Sequence, residues 1–401
     1  MSAPSVINDP SRIYRADLPA LRVSVKGTSQ SGIAQFNLPA VFDCEVTNNN
    51  FYMADTWQVS ASLSGQKAPY NSPLWWGEQS SIEVSIRAAL QPIGAGQGKI
   101  LVSGPTDDVS LSLRNDMLSL SGRDYTSRLI DTRLSDTFLN VQNGKIFLNQ
   151  TASQIVQTLV PEYWPDMQTS IPVPTKTLIG TYAGLQNAIM FRNRSLWDVI
   201  TWLAQNESAV DASGNPDPFV AYVIGKTLYF GPMSGSIGSG GGIFVVNWSG
   251  QSTAESLDLS RNLTLANDIR VTVQGWGPLG RYQAVASGKH ASAPSTVFPK
   301  GYQHYVYTIN GLTSQQASNR ATALALSLSQ HELVARVEMP ADFNLNPYGK
   351  VRLTNVASNR KTTVWDTDYW VNACTWRLDM HEGAVMSLWL KNHPTGQQVT
   401  L

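Results

Sequence analysis

Apolar and polar residues alternate along much of the chain, and the first half carries the cleanest examples. LRVSVKG (residues 21–27), VFDCEVTN, DTWQVSASL, SSIEVSIRAAL, KILVSG, DVSLSLRND and MLSLSG follow one another, and the cleaner of them repeat with a period of two. That period marks strands with one face buried. Turn residues separate them, among them Asn48 to Asn50, Gly94 to Gly98 and Asn115-Asp116. The spacing predicts a small antiparallel sandwich or barrel. In MLSLSGRDYTSRLIDT, Leu118 and Leu120 share one face until Gly122 interrupts the alternation. Asp124 is then placed to cap a short helical turn carrying Leu129 and Ile130. Gly122 is expected to hold a backbone conformation closed to β-branched residues.

The period lengthens beyond this exit. Thr151 with Gln154 has capping-box spacing ahead of Ile155, Val156, Leu159 and Val160, and Pro161 is expected to end that helix. Ser195 with Asp198 repeats the device ahead of Leu196, Val199, Ile200 and Leu203. FVAYVIGKTLYFGP reads as a hairpin, bracketed by the loop SGNPDP and the run GSIGSGGG (Gly235 to Gly242). Alternation resumes in NDIRVTVQGW, HYVYTI, ARVEMP, GKVRLTN, DYWVNACTWRLDM and AVMSLWLK, around one helix from Thr313 to about His331 with an Ala317, Ala321, Leu324, Leu328 stripe. The expected organisation is an N-terminal arm (1–17), a first β-domain (18–134), an inserted α+β domain (135–233), a Gly-rich linker (234–254) and a second β-domain with one helix (255–401). The fold class is mainly β with an α+β insertion.

The order of the strand pair KILVSGPTDDVSLSL and MLSLSGRDYTSRLIDT, the capped helices TASQIVQTLV and SLWDVITWLAQNE, and the strands FVAYVIGKTLYFGP resembles the baseplate or tail hub proteins of tailed bacteriophages. The late control protein D family and the hub of phage Mu are the nearest likenesses. The resemblance runs from about Leu21 to Lys391 and rests on element order. It implies two tube-type antiparallel β-barrel domains flanking a small mixed helical domain. It further implies a homotrimeric ring that joins a six-fold tail tube or tube initiator to a central spike or tip protein. Other baseplate proteins and a tape-measure protein are implied partners. DNA would pass through the lumen without specific binding, in a virion component made in the host cytoplasm.

Composition narrows the chemistry. The 401 residues carry 29 basic and 29 acidic side chains, and the charged fraction of 14% is well under the roughly 25% of an average globular protein. A neutral chain without a Lys/Arg cluster does not look like a dedicated nucleic-acid binder. Cys44 and Cys374 are too few for a disulfide framework or a thiolate metal site. No run of about 18 apolar residues occurs and the N-terminus lacks a signal-peptide core, so the expectation is a soluble protein folded in the cytoplasm.

No catalytic, cofactor or metal site is expected. His290, His304, His331, His381 and His393 are scattered, and no GxSxG, phosphate loop or strand-to-helix GxGxxG occurs. Asp107-Asp108 and Asp366/Asp368 have the look of glycosidase carboxylates, but each pair reads as turn residues. Most of the twelve tryptophans fall inside predicted elements. Trp75-Trp76, beside Pro73 and Gly77, and Trp276, between Gly275 and Gly277, read as loop residues suited to a partner surface or, less well, to a sugar. With Arg123 and Arg128 at the domain exit, these are the candidate assembly contacts. The alternative to a hub is a carbohydrate-binding or wall-degrading tail protein.

Overall fold

The computed structural model describes residues 20–49, 51–89, 98–134, 144–176, 179, 181–182, 185–186, 188–210, 216–235, 243–248, 254–261, 268–277, 279–289, 303–328, 332–354, 365–379 and 383–392. The expected arm at 1–17 lies outside them, as do residues 236–242 of the glycine run.

Thirteen strands form one continuous sheet. It begins at the edge strand Ser256–Arg261 and runs through Leu333–Pro340, Gly383–Lys391 and Asp368–Asp379. It then crosses to Val41–Asn49, Thr56–Ser62, Met117–Arg123, Lys99–Ser112, Ser81–Ala89 and Ala20–Ser29, ending at the edge strand Gly32–Asn37. The two β-rich stretches of sequence are thus sewn together where Asp368–Asp379 pairs with Val41–Asn49, in register from Ala373 opposite Asn49 to Asp379 opposite Asp43. A single apolar layer underlies both: Val46, Val59, Leu118 and Leu120 from one side and Trp376, Leu378 and Leu390 from the other are buried together.

Leu118 and Leu120 face this core with no exposed surface. Leu120→Ala is expected to cost about 2 to 5 kcal/mol, the range for deleting a buried leucine. Chemical denaturation checks it: a midpoint matching the parent contradicts the placement.

Gly122 serves a different purpose from the one expected. Its φ is not in the left-handed region; what the position requires is space. A Cβ there would sit 2.3 Å from the Pro105 carbonyl oxygen, and one on Gly104 would sit 2.0 Å from the Arg123 carbonyl oxygen. Gly104 pairs with Val84 and Gly122 with Thr106, on either side of the place where Lys99–Ser112 leaves Ser81–Ala89 for Met117–Arg123, beside a bulge between Thr106 and Asp108. KILVSG and DVSLSL are therefore one fourteen-residue strand bent at Gly104, and Asp107-Asp108 lie in it rather than in a turn.

Both capping boxes form, on helices Ala152–Tyr163 and Leu196–Asn206. Pro161 sits inside the last turn of the first, which continues to Tyr163. Proline has no N–H, so the Gln157 carbonyl goes without that donor in the last turn. The hairpin pairs Pro216–Ile224 with Thr227–Pro232 around Gly225, whose φ is +55°.

Two further elements differ from expectation. Within the expected linker, Phe244–Asn247 is a buried strand parallel to Lys350–Thr354, because Phe244, Val245 and Val246 fill the main core or its edge. The expected second β-domain also divides. Asp268–Gly277, Gly280–Lys289 and Gln303–Thr308 form a separate three-stranded sheet backed by helix Ser314–Leu328. Its Val271, Val273, Tyr282, Ala317, Ala321 and Ala325 share a core with Ile155, Leu159, Val199 and Leu203 of the insertion. Gly280–Lys289 escaped sequence reading because its inner face is largely Ala284 and Ala286, which give little hydropathic contrast.

Candidate functional site

The sheet and the insertion meet at one buried joint. The chain leaves Val41–Asn49 through Phe51 and Tyr52, and Tyr52 takes φ of 75° so that its amide donates to Ala221 O at 3.0 Å. Its hydroxyl donates to Phe219 O at 2.5 Å, and Trp197 Nε1 donates to its carbonyl at 2.9 Å. Phe51, Tyr222, Tyr229, Tyr348 and Trp370 form a small core of their own. Tyr222 stacks on Tyr348 at 4.2 Å between centroids and on Tyr229 at 4.9 Å. These rings come from the inserted hairpin and from both halves of the large sheet.

Beneath them lie two carboxyl groups with little exposure, 3% for Asp55 and 4% for Asp124. Asp55 accepts from Asn48 Nδ2 at 2.8 Å, the Asn49 amide at 2.7 Å and the Tyr348 hydroxyl at 2.8 Å. Trp376 Nε1 donates to Asn48 Oδ1 at 2.8 Å, which ties the network to the second half of the sheet. Asp124 Oδ1 accepts from the amides of Asp55 and Thr126, both at 3.2 Å, and Oδ2 lies 2.7 Å from Thr126 Oγ1. Asp124 thus ties the entry of helix Thr126–Asp131 to Asp55, rather than only capping the helix.

Burial raises the Asp55 carboxyl to about 6, against its hydrogen-bond donors. Burial, then the neighbouring Asp55 charge, holds Asp124 well above the ordinary range as well. The folded protein therefore retains protons that the unfolded chain has lost above pH 4. Their contribution is present in full below the unfolded value of 3.8 and fades as pH rises through about 6. At about 1.4 kcal/mol per pH unit, the Asp55 displacement is worth on the order of 3 kcal/mol. Glu83 and Asp166 are lowered and oppose this trend below pH 4. Asp124→Asn is therefore expected to flatten the decline in Tm between pH 4 and 7; a decline as steep as the parent's contradicts the assignment.

The joint has a polar rim. Arg128 donates to Glu83 on the sheet and, at 3.0 Å, to Asp166 of the insertion, while its guanidinium lies over Tyr125 and Trp164. Lys226 reaches Asp166 at 2.7 Å, and Lys26 reaches Glu83 at 3.5 Å. A cavity of about 480 Å³ is bordered by Asp55, Asp124, Lys99, Arg87 and Tyr348. Lys99 donates to Leu345 O, and burial lowers its ammonium to about 8.

The candidate contacts are dispersed. Arg128 is a link within the chain: its donors already span sheet and insertion. Arg123 holds Asp107 at 2.8 Å and Asp131 at 3.1 Å on the surface. Trp75 and Trp76 belong to a helical turn, Pro73–Gly77, capped by Ser72. Trp76 is 3% exposed, with Nε1 on Tyr70 O, and packs in the core of its own chain. Trp75 is half-buried against Phe36 and Gly27. Trp276 is 64% exposed at the end of the small sheet, beside Leu279 at 90%. Asp366 accepts from Trp248 Nε1, and Asp368 is held by Arg352. Among the described residues, no three His, Cys, Asp or Glu are grouped to hold a metal.

Neither a protein-family model nor a curated protein sequence matches the chain. Solved structures do. A tail protein from Neisseria meningitidis superposes with a TM-score of 0.58 over 93% of this chain and 96% of its own, at 14% identity. The 43 kDa tail protein of prophage MuSo2 from Shewanella oneidensis gives 0.56 over 92% and 96%, at 12% identity. The chain has the fold of phage tail proteins. Prophage tail protein gp18 from Listeria monocytogenes extends the likeness, with 0.53 over 94% and 95% at 10% identity. Coverage above nine-tenths in both directions means that this tail-protein fold includes the insertion and the small sheet as well as the large one. At such low identity the likeness speaks to fold, and the joint residues stand on their own geometry.

Proposed function

We propose that the chain is a non-enzymatic structural subunit of a phage tail: the hub that joins the tail tube to the central spike. The observation that carries this reading is the fusion of two β-units, far apart in sequence, into one sheet within a tail-protein fold matched along nearly its whole length. Three copies, each with two β-units, supply six positions, which lets a trimeric ring meet a six-fold tube. The lumen of that ring passes DNA or a tape-measure protein, and the neutral, lightly charged composition suits passage without adhesion. Buried in the joint, the carboxyls of Asp55 and Asp124 serve cohesion between sheet and insertion; their acceptor positions are taken up by groups of the chain itself.

Antibody labelling of intact tails, imaged by electron microscopy, tests the placement. Label at the end of the tube next to the spike is expected. Label along fibres, or digestion of peptidoglycan by the purified protein, favours the wall-directed alternative.

A further inference from the structure

Lys99 holds its ammonium inside the protein without an anion against it. The group donates to Leu345 O and lies 5.9 Å from the centroid of the Trp376 ring. An ammonium has three donors. Among the described residues no carboxylate forms an ion pair with this one, and Asp342 and the Cys374 thiol act on it only from farther off. A buried charge without a counter-ion is costly, and burial has already loosened its proton.

The space beside Lys99 is large enough for a guest. The cavity of about 480 Å³ that it borders lies in the size range of small-molecule sites. The large sheet contributes Ile100 and Leu101 to the wall, and the inserted hairpin contributes Val223 and Ile224. The two carboxyls on the border do not answer the lysine. Asp55 is taken up by Asn48, the Asn49 amide and Tyr348, and Asp124 by Thr126 and the Asp55 amide. Arg87 adds a second cation to the border.

We propose that this cavity binds a carboxylate carried on a short apolar chain, with Lys99 as its counter-ion. The carboxylate accepts the ammonium donors left over from Leu345 O, and the chain lies between Ile100 and Leu101 on one side and Val223 and Ile224 on the other. A guest that touches both walls binds only when sheet and insertion are docked, so it stabilises their joint. Two sources carry this chemistry: a free aliphatic acid, and the C-terminal residue of a partner chain, whose carboxylate and apolar side chain have the same layout. The site is independent of where in a tail the chain sits.

Isothermal titration calorimetry on the full-length protein at neutral pH uses hexanoate and N-acetyl-leucine, with hexanamide and N-acetyl-leucinamide as uncharged controls. At least one acid is expected to bind and to raise Tm, and its amide to bind about tenfold or more weakly, the loss of a hydrogen bond to a charged group. Lys99→Met is expected to abolish the preference for acid over amide, with Lys99→Gln used if Lys99→Met does not melt like the parent. The comparison of acid with amide on the parent stands without any variant. Tighter binding of N-acetyl-leucine assigns the site to a chain end, and tighter binding of hexanoate assigns it to a free acid. Failure of both acids to bind at millimolar concentration, an amide that binds as tightly as its acid, or an acid preference that survives the loss of Lys99 overturns the proposal.

Discussion

Gly104→Ala is expected to prevent stable folding. The added methyl carbon would lie 2.0 Å from the Arg123 carbonyl oxygen and 2.6 Å from the Asp124 Cα, and both neighbours are backbone of the strand exit that positions Asp124. Flexible side chains can retreat from an intrusion; a paired strand cannot without losing rungs. Gly122→Ala meets the same obstacle from the other strand, at 2.3 Å from the Pro105 carbonyl oxygen. Each is expected to cost on the order of 4 kcal/mol or more, the upper tail of point substitutions. Gly77→Ala is the control, since nothing lies within 4 Å of its added carbon and the residue ends a helical turn. Circular dichroism melts decide it: a Gly104→Ala protein melting with the Gly77→Ala control contradicts the crossing.

Asp55→Ala carries the second large effect. Its removal takes the carboxylate acceptor from the Asn49 amide and the Tyr348 hydroxyl, while Asn48 Nδ2 keeps the Leu101 carbonyl at 3.0 Å. At about 1 to 3 kcal/mol for each of the two donors that loses this acceptor, the loss is about 2 to 6 kcal/mol. Asp55→Asn keeps acceptor oxygen and removes the need to bury charge, so it is expected to lose far less. Because Tyr348 belongs to the second half of the sheet, Asp55→Ala should also speed amide exchange in Asp368–Asp379 at the seam. Urea midpoints and hydrogen exchange check both, and equal midpoints for the alanine and asparagine variants contradict the network.

Local chemistry was legible in the sequence wherever neighbours in the chain decide it. The capping boxes at Thr151 and Ser195, the hairpin at Gly225-Lys226 and the inward Leu118 and Leu120 all depend on spacing of a few residues. The joint does not. Asp55 and Tyr348 are nearly 300 positions apart, and Asp55 opens a stretch that reads simply as a strand, so nothing local marks them as partners. Trp75-Trp76 looked exposed because Pro73 and Gly77 punctuate the run, yet Pro73 opens a helical turn that drives Trp76 into the core. The expected second domain followed from continuing alternation, which cannot tell whether a strand joins a large sheet or a small one. Gly122 is constrained by close backbone approach, which in the sequence leaves no trace distinguishable from a left-handed φ.

Native mass spectrometry of the purified chain tests the central claim most directly. The hub account predicts a species of three chain masses, each 43.8 kDa, persisting at micromolar concentration in neutral volatile buffer. A single-chain mass at every concentration, alone and with tail-tube protein added, would contradict it.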